Sequence, residues 1–543
     1  MKKHYYKILG ILVLVITFSA FTYQDKYFEI IKNIEIFSNV YKEVNENYVD
    51  GTNPSKLMKV GIDAMLAALD PFTNFYSEAQ VEEYRLTTEG KYNGIGAKAR
   101  KMGDYVVITE VYKDYPAFKA GLKIGDQVIA VNGEDAKGKQ AEDLYQIMRG
   151  IPKSEVNITI RRPGTNDKQT LKLVRDEVNI PNVPYSGMID ESTGYLILTT
   201  FTESAGANVQ AAVRKLKSEN PGLKSIVLDL RENGGGLLGE AVQVCNTFVP
   251  AGVLIASTRG KEKQYNATYK TQAPPIDDVI PLAVLINKHS ASASEIVSGS
   301  MQDLDRGVVI GQLSYGKGLV QNTKEVGYNS RVKFTTAKYY IPSGRCIQNV
   351  KYENGVRVLL SDSLRSVFKT KNGRTVYDGG GVKPDIEMEE ADYPFVVQKL
   401  LEDNWIFNFC TEYGLNNPAP QDPITYTFTD FNLLLDYLRK NKFDDNSDIE
   451  KKLKVLEDQV SVDKTTSIQD DILKMRTELE QQQWLEIEKN KDIINHLVEE
   501  EIVYRHFYEP GKVQCRFKHD PLIKKAIEVL RNTQEYKKIL AQK

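Results

Sequence analysis

Between Asn287 and Gly299 the chain reads NKHSASASEIVSG, with four serines, of which Ser290, Ser292 and Ser294 alternate with alanine. A serine hydroxyl becomes a nucleophile only with a base beside it. Histidine is the usual base, and the 543 residues hold five: His4, His289, His496, His506 and His519. His4 stands in the basic N-terminal stretch MKKHYYK, and the last three fall in a helix-rich C-terminal part. His289 is three residues from Ser292 at a strand end and reads as a loop residue, so a Ser/His/Asp triad has little support. Lysine is the other option. In GQLSYGKGLVQ, Lys317 stands between Gly316 and Gly318. Glycine on both sides lets the chain pack closely, and burial penalises an ammonium and lowers its pKa. A neutral amine within reach of a serine hydroxyl can take its proton.

The template S/T-x-x-E selects among the serines. Glu295 follows Ser292 by three, whereas Ser290 and Ser294 have Ala293 and Val297 at that position. Ser292 is then the residue that starts a helix, where N–H groups and the helix dipole favour a developing negative charge. A serine that only caps the helix is the competing explanation. A second turn, LDLRENGGGLL, places Gly234–Gly236 between a strand and a helix. Its N–H groups can also face an anion, although a tight turn without function has the same composition.

The elements around these turns alternate. GYLILTTF, SIVLDLR, PLAVLIN and GVVIGQ are short apolar strands, and GANVQAAVRKLKSE, GLLGEAVQVCNTFV and EIVSGSMQDL read as helices. Unbroken apolar strands imply a sheet covered on both faces. Ahead of this α/β unit, YVVITEVY and EVNITIRRP are β-rich and AEDLYQIMRG is a short helix. Ahead of those, FEIIKNIEIFSNVYKEVNENYV and SKLMKVGIDAMLAAL are helical on either side of the turn DGTNP. The last 150 or so residues are mostly helical and densely charged, without a sustained heptad; no role follows from them.

Two resemblances organise the chain. DYPAFKAGLKIGDQVIAVNGEDAKG resembles the distinctive stretch of a PDZ domain, and the resemblance assigns Gly94, Ile95 and Gly96 to the loop that binds a peptide carboxylate. The glycines allow successive N–H groups to converge as an anion nest, and an exposed strand edge beside it can take a peptide as an added strand. SASASEIVSGSMQDLDRGVVIGQLSYGKGLVQ is similar to the active-site segment of the carboxyl-terminal processing peptidases, or tail-specific proteases. That resemblance implies a Ser/Lys endopeptidase with a ClpP- or crotonase-like core. It aligns the nucleophile with Ser292, the base with Lys317, a lysine-positioning glutamine with Gln321 and a supporting aspartate with Asp303. LDLRENGGGLL matches the family's LDLR.NPGG.L, which puts Gly235 and the N–H of Ala293 in the oxyanion hole. Gly234 stands where proline is usual. TTAKYYIPSGRCIQ and GGGVKPDI match later family strands, and FKTKNGRTVYDGGG suggests the longer variety with extra C-terminal helices.

The expected architecture is multidomain α/β: a signal peptide or membrane anchor at 1–23, N-terminal helices at 24–88, a PDZ domain at 89–176, a Ser/Lys protease core at 177–392 and a helical extension at 393–543. The basic start MKKHYYK and the apolar run Ile8–Phe21 fit an export signal, shorter than a comfortable membrane span. This places the protein in the periplasm or envelope, anchored to the inner membrane if the segment is kept. Net charge is -2, which gives no basic excess for nucleic acid. Cys245, Cys346, Cys410 and Cys515 follow no metal spacing. Export allows a disulfide, but buried thiols are the simpler expectation. No metal or organic cofactor is called for. The implied partners are protein or peptide substrates held by their C-termini, with a homo-oligomer left open. The alternatives are a catalytically silent PDZ-containing binding or scaffold protein of the envelope and, on the crotonase likeness of the core, an acyl-CoA enzyme.

Overall fold

The computed structural model describes residues 27–353, 355–359, 365–389, 392–445, 447–463 and 466–541. The run Ile8–Phe21 and any cleavage point behind it lie outside the described residues. Among those described, no helix is long and apolar enough to cross a membrane. The chain divides into two compact units. The smaller takes the chain up to Tyr76 together with Gln321–Thr335 and Tyr352–Val358, and the larger takes the rest.

In the smaller unit a helix over 27–47 is followed by the helix Pro54–Ala67. The turn DGTNP ends as an N-cap: Asn53 accepts from the Lys56 N–H, and Pro54 supplies a first-turn residue that needs no donor. The short strand Asn74–Tyr76 pairs antiparallel with residues 331–333. Both helices leave large apolar side chains exposed, among them Phe28, Ile31, Ile34, Val60 and Met65.

The larger unit holds two principal sheets. The first runs in the order Ala97–Met102, Tyr105–Val111, Gln127–Val131, Glu155–Arg161, Lys168–Val174, all antiparallel. Ala97–Met102 is therefore an edge strand, and the helix Ala141–Met148 packs beside it. Alternate residues of these strands, such as Val106, Ile108, Val156 and Ile158, are fully buried against that helix.

The second sheet runs in the order Tyr185–Met188, Thr193–Ile197, Ser225–Asp229, Leu282–Ile286, Val308–Gly311, Ile386–Glu387, parallel after the first pair. Every residue of Ser225–Asp229 and of Leu282–Ile286 is buried, as a two-faced sheet requires. One set of alternating side chains (Ile226, Leu228, Val284) packs under the helices Ala205–Glu219, Leu238–Asn246 and Ala293–Asp303. The other set (Tyr195, Val227, Leu285, Ile310) packs under the last two helices of the chain, Pro521–Arg531 and Thr533–Leu540. The boundary expected at 393 thus divides the chain but not the packing: the extreme C-terminus is the second layer of the α/β core. The ion pair Arg231–Asp520 (2.7 Å) and the Tyr536 hydroxyl, which takes the Leu282 N–H at 3.0 Å, fasten that layer to the strand ends.

The rest of the extension is a helical cluster over Phe395–Arg516 with its own core of Val397, Phe409, Leu434 and Val498. The long charged run at its end is two helices, Thr466–Lys489 and Lys491–Arg516, the second kinked at Tyr508 ahead of Pro510. All four cysteines are free thiols, and Cys245, Cys410 and Cys515 are buried.

Candidate active site

The strands Ser225–Asp229 and Leu282–Ile286 are parallel neighbours, so the loops leaving their C-terminal ends meet. Side chains stitch them together. Asn287 accepts the Glu232 N–H at 3.1 Å and donates to the Glu232 carboxylate at 2.6 Å. The Asn233 carbonyl takes the Ala291 N–H at 3.0 Å and the Ser294 hydroxyl at 2.8 Å.

Among the serines the burial is decisive. Ser290, Ser294 and Ser298 are fully buried, and their hydroxyls donate to the carbonyls of Leu230, Asn233 and Ser294. Small side chains in this stretch are thus a packing requirement, three hydroxyls being used to tie strand, loop and helix together. Ser292 is partly exposed and immediately precedes the helix Ala293–Asp303. Its backbone lies at φ 55°, ψ -112°, which strains a residue with a side chain. Such strain persists only where the surroundings over-determine it.

Those surroundings centre on Glu295, which is fully buried. One of its carboxylate oxygens accepts the N–H of Ser292 at 2.7 Å and the N–H of Lys317 at 2.9 Å. The other accepts the N–H of Gly316 at 2.7 Å and the Ser314 hydroxyl at 2.5 Å. Burial nevertheless raises its pKa to about 7, because these donors offset only part of the lost hydration. On the far side Tyr339, 1% exposed, shares its one hydroxyl proton between the carbonyls of Lys317 at 2.6 Å and Ser292 at 3.0 Å. Residues 292 and 317 are therefore clamped to each other through both their N–H and their C=O groups. The glycines beside Lys317 make this approach feasible. Gly316 takes φ +84°, and a Cβ on Gly318 would lie 2.8 Å from the Gln348 nitrogen. Lys317 itself is half-buried.

Gly235 is in the left-handed region at φ +100°, and a Cβ there would lie 2.8 Å from the Ser292 Cβ and 3.0 Å from the Ala293 nitrogen. The expected pair, Gly235 and Ala293, is thus in contact with Ser292. Ala293 opens the helix, so its N–H has no partner from the helix ladder. The Gly235 N–H is donated to Asn233 Oδ1 at 2.9 Å in this arrangement. A Cβ on Gly234 would meet nothing within 4 Å, and Gly234 is outside the left-handed region. There is thus open space for a side chain at the position where proline is usual.

Two expected participants have partners of their own. Asp303 ends the helix that follows Ser292, about 16 Å along its axis. It is buried in an ion pair with Arg345 at 2.8 Å and accepts the Ser343 N–H at 3.0 Å. Gln321 belongs to the smaller unit, where its amide donates to the Thr335 hydroxyl at 3.1 Å. His289 is exposed. Among the described residues no group of three or more His, Cys, Asp or Glu side chains could hold a metal. Sequence reasoning missed Glu295 as a four-donor hub and Tyr339 as its counterpart. The S-x-x-E spacing pointed to Glu295 but gave it only the role of a cap.

In the antiparallel domain Gly94, Ile95 and Gly96 lie between the strand Lys91–Gly94 and the edge strand Ala97–Met102. Ile95 is buried and its carbonyl accepts the Ala117 N–H at 2.7 Å. Gly96 takes φ +79° and its carbonyl accepts the Tyr112 N–H at 2.9 Å.

Residues 192–358 match the model of peptidase family S41, residues 107–162 that of a PDZ domain, and residues 396–530 that of the C-terminal helical domain of a probable PDZ-protease. The chain is 33% identical over 383 residues to a carboxy-terminal-processing protease of Bartonella bacilliformis, spanning 66% of this chain and 87% of that one. It is 32% identical over 355 residues to a probable CtpA-like serine protease of Staphylococcus aureus, spanning 65% of this chain and 70% of that one. Among solved structures, the photosystem II D1 C-terminal processing protease is 28% identical, with 65% of this chain and 92% of that one covered and a TM-score of 0.35.

Proposed function

The chain belongs to the carboxy-terminal-processing proteases of peptidase family S41 and is a serine peptidase, and from that premise we propose that it is an endopeptidase of the cell envelope working through a Ser292/Lys317 dyad. The neutral Lys317 amine takes the Ser292 hydroxyl proton as Oγ bonds to the substrate carbonyl carbon. The oxyanion is received by the Ala293 N–H and by the Gly235 N–H once the latter leaves Asn233. The C–N bond then breaks, with the proton passing from Lys317 to the departing amine. Lys317 next draws a proton from water as the water oxygen bonds to the acyl carbon, and it returns that proton to Ser292 Oγ as the ester C–O bond breaks. Gln321 retains the lysine-positioning role that the family resemblance gives it, whereas Asp303 supports the far end of the helix.

The observation that carries this reading is the double clamp of residues 292 and 317 by Glu295 and Tyr339, with Ser292 held in strained backbone at a helix start. The PDZ domain holds the substrate C-terminus, and the working parts follow the limits 24–88, 89–176, 177–392 and 393–543, except that the helices from Pro521 onward serve the core. The basic start and the run Ile8–Phe21 support export, as a removed signal or a retained inner-membrane anchor.

A fluorophosphonate probe with peptide mapping tests the proposal. The expected adduct is on Ser292, and Lys317→Ala should abolish both labelling and peptide hydrolysis. An adduct on another serine, or hydrolysis that survives Ser292→Ala, would discard the dyad. Peptide binding without any adduct would identify a silent binding protein instead.

A further inference from the structure

The edge strand Ala97–Met102 and the helix Ala141–Met148 form the two walls of the groove in which a PDZ domain takes a peptide as an added strand. Such a peptide needs the outward N–H and C=O groups of the strand and the N–H groups of the preceding loop. In this chain the strand's groups at Ala99 are already bonded, and the loop is covered by an aromatic side chain. Tyr145, on the helix, receives the Ala99 N–H at 2.8 Å and donates its hydroxyl to the Ala99 carbonyl, also at 2.8 Å. It thus makes the two bonds that a peptide residue would make. Tyr92 folds back from the preceding strand over the loop, its hydroxyl turned toward the backbone of Gly96 and Ala97. Gly94 leaves the room for this, since a Cβ there would lie 2.7 Å from the Tyr92 ring.

Arg149 joins the two rings, its guanidinium carbon 5.5 Å from the centre of Tyr92 and 5.6 Å from that of Tyr145. Its Nε is buried without a hydrogen-bond partner. A buried cation donor left unsatisfied is costly, and it marks where an anionic acceptor would be received.

We propose that Tyr92 and Tyr145 are built-in caps of the groove and that a substrate is captured by exchange. The peptide's terminal carboxylate replaces the Tyr92 hydroxyl on Gly96 and Ala97, and its backbone replaces the Tyr145 hydroxyl on Ala99. The inference rests on the peptide-binding reading of the PDZ domain and adds what that binding must displace. The Ala99 hydrogen bonds exchange one for one, so the caps confine tight binding to ligands that offer both a carboxylate and an extended backbone.

The test uses full-length protein carrying Ser292→Ala, so that the probe survives. The probes are a fluorescent octapeptide pool with apolar final residues and a free carboxylate, and the same pool amidated. Tyr92→Phe should tighten the free-acid pool about three- to tenfold and the amide much less. Tyr145→Phe should tighten both pools by a similar factor and speed exchange of the Ala99 amide in the free protein. The two variants change separate hydroxyl groups, and each is compared well below its melting temperature. Free-acid affinity that stays level or falls in both variants would overturn the exchange, as would equal gains for acid and amide in Tyr92→Phe. No binding of either pool to any of the three proteins would instead remove the peptide-binding reading beneath it.

Discussion

Tyr339 in the protease core and Tyr145 in the PDZ groove bond backbone groups in similar ways, yet their surroundings differ. Tyr339 is 1% exposed, and the carbonyls it serves belong to two loops brought together from distant parts of the chain. Nothing from solvent can take its place, so its bond fixes geometry. Tyr145 is half-buried, and the group it serves is on an edge strand. A ligand can supply the same bond, so its bond is exchangeable. The comparison teaches that a hydrogen bond positions or regulates according to what can reach it, since the net worth of the bond itself is about the same in both places, roughly 1 kcal/mol.

The fixed side breaks most completely by removing the layer beneath it. Truncation before Asp520 uncovers Tyr195, Val227, Leu285 and Ile310, and the expected outcome is loss of cooperative folding, read by circular dichroism and thermal melting. The uncovered face outweighs a typical net stability of roughly 5–15 kcal/mol. Next in size is Gly235→Ala, whose Cβ would sit against the Ser292 Cβ at 2.8 Å in a left-handed backbone. Peptidase activity should fall by about a hundredfold or more, whereas Gly234→Ala, in open space, should stay near wild type. Equal losses in the two glycine variants would contradict this arrangement of the loop.

Glu295 sharpens the comparison through pH. Its folded pKa of about 7 lies above the ordinary 4.5 because burial disfavours the carboxylate. The stability it contributes is full below about pH 4.5 and is lost as pH rises through about 7, on the order of 3 kcal/mol in all. In urea denaturation the stability of wild type relative to Glu295→Gln should therefore decline between about pH 5 and about pH 8. A gap that widens with pH would reverse the assignment. The smallest effects separate the tyrosines. Tyr339→Phe leaves buried carbonyls unserved and should cost about 1–3 kcal/mol with a matching fall in kcat, whereas Tyr145→Phe should cost under about 1 kcal/mol and leave kcat intact.

Local pattern carried much of this. The S-x-x-E spacing located the helix start at Ser292, the glycines around Lys317 signalled a close approach, and the unbroken apolar strands required a sheet covered on both faces. The resemblance that matched Asp303 to a supporting aspartate carried no distance with it, and the residue lies a full helix length from Ser292. Glu295 was legible as a cap but not as a link to residues 314–317, because a carboxylate's remaining lone pairs do not reveal which loop will come to them.

By itself the sequence determined what neighbouring residues settle among themselves: the strand and helix rhythm, the helix start at Ser292, the glycines that admit left-handed backbone, and the motifs that identify the family. Tertiary structure alone decided that Tyr339 and Glu295 clamp residues 25 positions apart, that the final helices cover the sheet, and that the Tyr145 hydroxyl meets both backbone groups of Ala99. The reason is range. Backbone conformation and periodicity act within a few residues, whereas a buried hydroxyl or carboxylate takes whichever backbone groups the folded chain brings within about 3 Å.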